Sequence, residues 1–355
     1  MQKLSIEKFV PSPEICDFFV HAIRAVTSTA RLNYTMGLTV ADFKTLVQTN
    51  GVLVIDGALA TELEMRGHDL SHPLWSGKVL KESPEVIQDV HREYFIAGAN
   101  IAITASYQAT VLGLQEHLGL NDRQAGELIA RSVELAQDAR SEAYAQSVPA
   151  ERPLLVAGSV GPYGAYLTDG SEYRGDYKVS AQALADFHRP RIQALLDAGA
   201  DLLAIETIPS PQEVKVLLEL LRDHFPSCIA WLSCTLRDAE HLSDGTPILD
   251  VLEAVHSSNA SSPQIVAFGI NCVPPHLVTP CLKLLHAATE LPLLCYPNSG
   301  EVYVAKDHAW TGTGSTTNLR DQTLEFKAAG ARLIGGCCRT TPADIRAVAD
   351  ALHDS

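Results

Sequence analysis

Cys272 closes the run Gly269-Ile270-Asn271-Cys272, and Cys337 and Cys338 stand side by side after Gly335-Gly336. Thiolates are zinc ligands, and three of them on one Zn(II) would leave the fourth tetrahedral position open for a reacting ligand. Two neighbouring cysteines can share a metal only if the chain turns between them, and the two preceding glycines permit a turn. The spacing is not C-x-x-C, so a second reading stands beside the metal. In it Cys272 is a small core residue and Cys337-Cys338 is a chance pair or a strained vicinal disulfide. Cys16, Cys228, Cys234, Cys281 and Cys295 read as core thiols. No H-E-x-x-H occurs among the 13 histidines, and His188, His241 and His308 read as helix or loop residues.

What could bring such residues together is a repeated strand–helix unit. Ala97-Gly98-Ala99-Asn100, Ala198-Gly199-Ala200-Asp201 and Ala329-Gly330-Ala331-Arg332 each read as a helix closed by a glycine and followed at once by a short apolar strand. Ser83-Pro84, Ser210-Pro211 and Thr341-Pro342 mark helix starts, with a hydroxyl at the cap and proline at the first helical position. Glu213 and Asp344 stand where a capping box has its acid. The apolar runs predict eight strands, near 52–56, 101–104, 154–158, 202–206, 229–235, 266–271, 291–296 and 332–336. Continuous apolar strands alternating with helices imply a parallel sheet covered on both faces. The α/β class and the number of units favour a closed (β/α)8 TIM-type barrel in a single domain over 41–355. A doubly wound open sheet is the alternative, but no G-x-G-x-x-G follows any strand.

In such a barrel chemistry gathers where the strands end. The predicted ends carry Asp56-Gly57, Thr104, Ser159, Glu206-Thr207, Thr235, Asn271-Cys272, Tyr296-Pro297-Asn298 and Cys337-Cys338. Packing needs none of these polar groups, and each is costly to bury unpaired. The sixth and eighth strands are two apart, so their cysteines can approach across the mouth. For Asp56 a helix cap, and for Glu206 a structural ion pair, are the competing roles.

Composition narrows the partners. The chain has 355 residues and a net charge of −15, with 46% hydrophobic residues, a globular balance rather than a disordered one. That charge argues against nucleic acid and an anionic membrane surface. No apolar run approaches the roughly 20 residues of a membrane span. Eight cysteines are too sparse for a disulfide scaffold and read as thiols of a reducing compartment, the cytoplasm. Residues 1–40 look different. Phe18 to Val40 carries Arg24 and Arg31 without an acid, a weak transit-peptide pattern spoiled by Glu7, Glu14 and Asp17. A poorly ordered extension, or chain upstream of a start at Met36, is expected there. From Thr39 a short helix (Val40, Phe43, Leu46, Val47) leads into the first strand.

From about Gly51 to Leu352 the chain resembles the homocysteine S-methyltransferase family. The residues that carry the resemblance are Asp56-Gly57-Ala58-Leu59-Ala60-Thr61-Glu62, Ile103-Thr104-Ala105-Ser106-Tyr107-Gln108-Ala109 and Gly158-Ser159-Val160-Gly161-Pro162-Tyr163-Gly164. Glu206-Thr207, Leu236-Arg237-Asp238 and Ser243-Asp244-Gly245-Thr246-Pro247 add to them. The most specific are Gly269-Ile270-Asn271-Cys272, Tyr296-Pro297-Asn298-Ser299-Gly300-Glu301 and Gly335-Gly336-Cys337-Cys338-Arg339. The resemblance implies one Zn(II) per chain on Cys272, Cys337 and Cys338, and transfer of a methyl group to the thiol of L-homocysteine, giving methionine. S-methylmethionine is the implied donor and S-adenosylmethionine the alternative sulfonium. Asp56 and Glu206 are placed near the homocysteine ammonium, with Gly57 and Thr104 nearby. Asn271 is expected to orient the site, and Asn298 to line the pocket or shape the loop before Gly300. Tyr163 and Tyr296 could face the sulfonium by cation–π attraction. Asp238, His241 and Asp244-Gly245 are expected to form a loop over the mouth. Betaine or a cobalamin-borne methyl, a selenol acceptor, or a non-catalytic zinc or redox-sensing barrel are the rival readings.

Overall fold

The computed structural model describes residues 37–304, 309–311 and 319–355. Gly37–Ser355 forms one compact unit. Its first helix, Val40–Asn50, begins where the sequence places it, with a capping box between Thr39 and Asp42. The expected extension ran to residue 40, whereas Gly37–Val40 already belong to the compact unit. The rest of that extension, and the expectations for Cys16 and His308, lie outside the described residues.

All eight expected strands are present: β1 Leu53–Val54, β2 Ile101–Ile103, β3 Leu155–Val160, β4 Leu202–Ile208, β5 Ala230–Cys234, β6 Ile265–Asn271, β7 Leu293–Tyr296 and β8 Ala331–Ile334. They form one parallel sheet in which β8 pairs with β1. A bridge between Ile55 and Ile101 joins β1 to β2 and closes the ring. The result is a (β/α)8 barrel, and the open doubly wound sheet is excluded. In the ring β7 lies between β6 and β8, so the two cysteine-bearing strand ends are two apart, as expected.

The local signals work at the helix ends, with two exceptions. Gly98, Gly199 and Gly330 take positive φ (125°, 82° and 109°) and turn the chain from helix into strand. Asp344 accepts from the Thr341 N–H at 2.8 Å, as in the capping box expected there. Ser83 and Ser210 make no side-chain cap. Glu213, expected to cap the helix Pro211–His224, instead accepts from the Tyr163 N–H (2.7 Å) and the Tyr177 hydroxyl and meets His188 Nε2 at 2.7 Å. Two short hairpins project beyond the strand ends: Leu236–Asp238 with His241–Leu242, and Val302–Val304 with Ala309–Thr311. No helix of the described residues is long and apolar enough to cross a membrane.

Candidate metal centre and substrate cavity

The three thiols meet. Cys272 Sγ lies 3.5 Å from Cys338 Sγ, and Cys337 Sγ lies 4.0 Å from Cys338 Sγ. All three sulfurs fall within 4.8 Å of one another, the one such cluster of His, Cys, Asp or Glu among the described residues. With Zn–S bonds of about 2.3 Å, a tetrahedron has sulfur–sulfur edges of about 3.8 Å. The donor set therefore fits a metal of that kind, with one position left over. None of the seven cysteines among the described residues is in a disulfide, so the vicinal bridge is not formed.

The backbone shows how the cysteines are held. The chain leaving β7 runs between the two cysteine segments as a splint. Cys272 N–H donates to the Tyr296 carbonyl (3.0 Å), Cys337 N–H to the Pro297 carbonyl (2.7 Å), and Ser299 N–H to the Cys338 carbonyl (3.1 Å). Cys272 itself sits at φ 52°, and Thr207, hydrogen-bonded to Asn271, at φ 64°. Non-glycine residues adopt that region at a cost, and such strain clusters at functional sites. Gly336 is required here, because a Cβ would stand 2.3 Å from Thr340 Oγ1. Hydrogen bonds from Cys337 and Cys338, and one from the Tyr173 hydroxyl (3.2 Å), hold the Cys272 thiol well below its ordinary pKa. The same contact with Cys272 raises Cys337 and Cys338. Without a cation one thiolate is favoured and the other two resist ionisation, so gathering three thiolates needs a positive charge at their centre.

The thiols open into a cavity at the carboxyl ends of the strands, lined also by Asp56, Gly57, Thr104, Glu206 and Thr207. Asp56 is not a helix cap. Its Oδ2 accepts from the Ile103 N–H at 2.9 Å, and burial, with the nearby Glu206 charge, raises its pKa well above the usual range. Glu206 forms no ion pair among the described residues. It accepts from the Ser159 hydroxyl (2.5 Å) and the Tyr296 hydroxyl (3.1 Å), and burial pushes its carboxyl up to about 7. The Thr104 hydroxyl is engaged by the Ser159 N–H (3.0 Å) and Ser106 (2.8 Å).

The remaining polar and aromatic residues take distinct places. Asn271 does not line the cavity. Its Oδ1 accepts from the Thr207 N–H (2.7 Å) and the Ser233 hydroxyl (2.8 Å), and its Nδ2 donates to Thr207 Oγ1 (2.8 Å), so it braces the strained turn after Glu206. Asn298 also lies off the cavity: its Oδ1 accepts from the Gly300 N–H at 2.9 Å and its own N–H donates to Val273, so it shapes the splint. Tyr163 packs against the rings of Tyr166, Tyr177 and Phe187, away from the cavity. Tyr296 does line it, with its hydroxyl shared between Glu206 and Ser233. His188 is buried against Glu213, His241 meets Asp238 at 2.7 Å, and neither lines the cavity. Trp75, Tyr107, Glu172 and Tyr173 also line it, and none of the four has a role assigned from sequence, although Tyr107 stands in one of the segments that carry the resemblance. All four lie outside the strands, and only the positive φ of Trp75 (44°) sets one of them apart.

Comparison with known proteins agrees with this geometry. Residues 53–352 match the family model described as homocysteine S-methyltransferase. The chain is 56% identical over 306 residues to the homocysteine S-methyltransferase of Escherichia coli strain K12, covering 86% of this chain and 96% of that protein. It is 45% identical to the homocysteine S-methyltransferase YbgG of Bacillus subtilis strain 168, covering 86% of this chain and 95% of that one. The crystal structure of the homocysteine methyltransferase MmuM from E. coli in its metallated form superposes with a TM-score of 0.77 at 52% identity, over 86% of this chain and 98% of that one.

Proposed function

The chain belongs to the homocysteine S-methyltransferase family, and on that premise we propose that it transfers a methyl group from a sulfonium donor, S-methylmethionine, to the thiol of L-homocysteine. One observation carries the reading. Three thiols within 4.8 Å of one another share a cavity with two buried carboxyls at the strand ends.

Cys272, Cys337 and Cys338 would hold one Zn(II). A thiol is mostly protonated at neutral pH, with a pKa near ~8.5, and zinc, when bound, would supply a deprotonated thiol as nucleophile. Asp56 and Glu206 face the same space and supply the negative charge that receives the homocysteine ammonium, with Gly57 and Thr104 beside them. Asn271 holds the Thr207 turn behind Glu206 and keeps that carboxyl aimed. No residue of the cavity needs to donate a proton, since the donor's carbon–sulfur bond breaks to leave a neutral thioether. Charge is neutralised on the way, which the apolar walls of Ala58, Leu59 and Ala105 favour by limiting water. With S-methylmethionine as donor, both products are methionine. The partners of this reading are small molecules. The free thiols suit a reducing compartment, and we place the enzyme in the cytoplasm.

The purified chain should hold one zinc and form methionine from homocysteine with S-methylmethionine faster than with S-adenosylmethionine at equal concentrations. Cys338→Ala should lose both zinc and turnover. Full activity in a zinc-free Cys338→Ala protein would overturn the reading.

A further inference from the structure

Three carboxyl groups line the cavity, and the homocysteine ammonium accounts for two of them. The third belongs to Glu172, in the 3-10 turn Ser171–Tyr173. Glu172 is only 5% exposed, and its Oε2 has no hydrogen-bond partner. A buried carboxylate oxygen left without a donor is a destabilising feature, and in a native site it marks a place for a ligand.

The turn that carries it is held firmly. The Thr235 hydroxyl donates to the Glu172 carbonyl at 3.2 Å, and a Cβ on Gly164 would stand 2.6 Å from the Glu172 nitrogen. The neighbouring Arg174 acts on the Glu172 charge without contacting it, its guanidinium being paired with Asp169 and Asp176. No lysine, arginine or histidine lines the cavity among the described residues. A contacting counter-charge for the ionised carboxyl would therefore come from what the cavity binds. Glu172 shares the influence of Cys272 with Glu206 but sits on a different element, the turn beyond β3. Asp56 feels the Glu206 charge, and the residue after Glu172, Tyr173, carries its hydroxyl to Cys272.

Transfer of a methyl group between two amino acids brings two ammonium groups into one cavity, one on the acceptor and one on the donor. We propose that Glu172 receives the ammonium group of the methyl donor and so selects sulfonium donors that are amino acids. An ammonium fits the vacant oxygen better than the sulfonium itself, because only the ammonium brings N–H donors. This assignment rests on the methyl-transfer reading above.

The test compares two methyl donors, S-methylmethionine and dimethylsulfoniopropionate, a sulfonium without an ammonium, with homocysteine held saturating. Wild-type turnover with a sulfonium establishes the parent reading, and a wild-type chain inactive with both donors would overturn that reading whatever Glu172 does. Glu172→Gln keeps the shape and removes the charge. It should raise the KM for S-methylmethionine by about 10- to 100-fold, the value of one charge-assisted hydrogen bond. The KM for homocysteine, the zinc content and the KM for dimethylsulfoniopropionate should stay within about twofold. Glu172→Asp keeps the charge on a shorter arm and should fall between the two. It also carries the comparison if the glutamine variant does not fold. An unchanged KM for S-methylmethionine in both variants would overturn the assignment. So would an equal rise with the ammonium-free donor, or a rise in the KM for homocysteine instead.

Discussion

Glu206 and Asn271 show how much a single side chain's direction decides. Both are polar, both are buried, and both lie at or near the carboxyl end of a parallel strand. Glu206 faces the cavity, while Asn271 directs its side-chain hydrogen bonds to Thr207 and Ser233. Glu206→Gln should therefore raise the KM for homocysteine by about 10- to 100-fold, the loss of a charge-assisted contact to the ammonium, while leaving zinc content unchanged. A homocysteine KM equal to wild type would remove Glu206 from the site. Residue type makes Cys272, Cys337, Cys338, Asp56 and Glu206 legible in the sequence, because thiols and carboxyls at the ends of apolar strands have no packing purpose. It does not distinguish an amide that faces a ligand from one that braces its own turn, which is why Asn271 and Asn298 read as site residues. Nor does it separate Glu172 from the acids around it. Asp169, Glu172 and Asp176 look alike in sequence, but Asp169 and Asp176 are exposed and paired with Arg174, while Glu172 is buried in the cavity.

At the level of strands and helices the sequence is more readable, since eight buried strands must be apolar along their whole length. The disagreements occur where backbone geometry departs from a regular ladder. β4 extends to Ile208, past the expected end at Glu206, because its pairing with β5 slips between Ile205 and Ile208 around the strained Thr207. β1 shrinks to two paired residues, and the closing contact at Ile55 is a lone bridge. Close approach of strands is also recorded in the glycines. A Cβ at Gly269 would stand 1.9 Å from the Leu294 carbonyl oxygen, which is backbone and cannot move aside. Gly269→Ala should cost at least the roughly 1–3 kcal/mol of an overpacked core and lower the thermal midpoint accordingly. Gly126, inside the helix Asp122–Gln146, has nothing within 4 Å of its would-be Cβ. Gly126→Ala should stabilise the protein by about 0.5–1 kcal/mol, so the two glycine variants should move the midpoint in opposite directions.

The stability of the whole molecule carries a titration that lies away from the cavity. His91, on the helix Pro84–Ala97, is fully buried, and neither ring nitrogen has a hydrogen-bond partner. Burial alone lowers its pKa from 6.5 to about 4. The folded state therefore keeps His91 neutral where the unfolded chain has already taken up a proton. Between about pH 6.5 and 4 the unfolded state binds more protons, so stability falls as the pH falls through that window. The buried carboxyls of Glu172 and Glu206, raised to about 7, act in the opposite sense, because the folded chain then holds the extra protons. A pH profile of the wild type alone would mix the two effects, and a comparison with His91→Leu separates them. The variant keeps the carboxyls, removes the imidazole and fills a similar volume with apolar atoms. At pH 7 it should be as stable as wild type or more so, since two orphaned nitrogens are gone. By pH 4.5 its advantage in urea unfolding should have grown by about 2–3 kcal/mol, the linkage value of the His91 shift. A stability difference between the two proteins that stays constant from pH 7 to 4.5 would show that His91 reaches a partner or solvent when protonated.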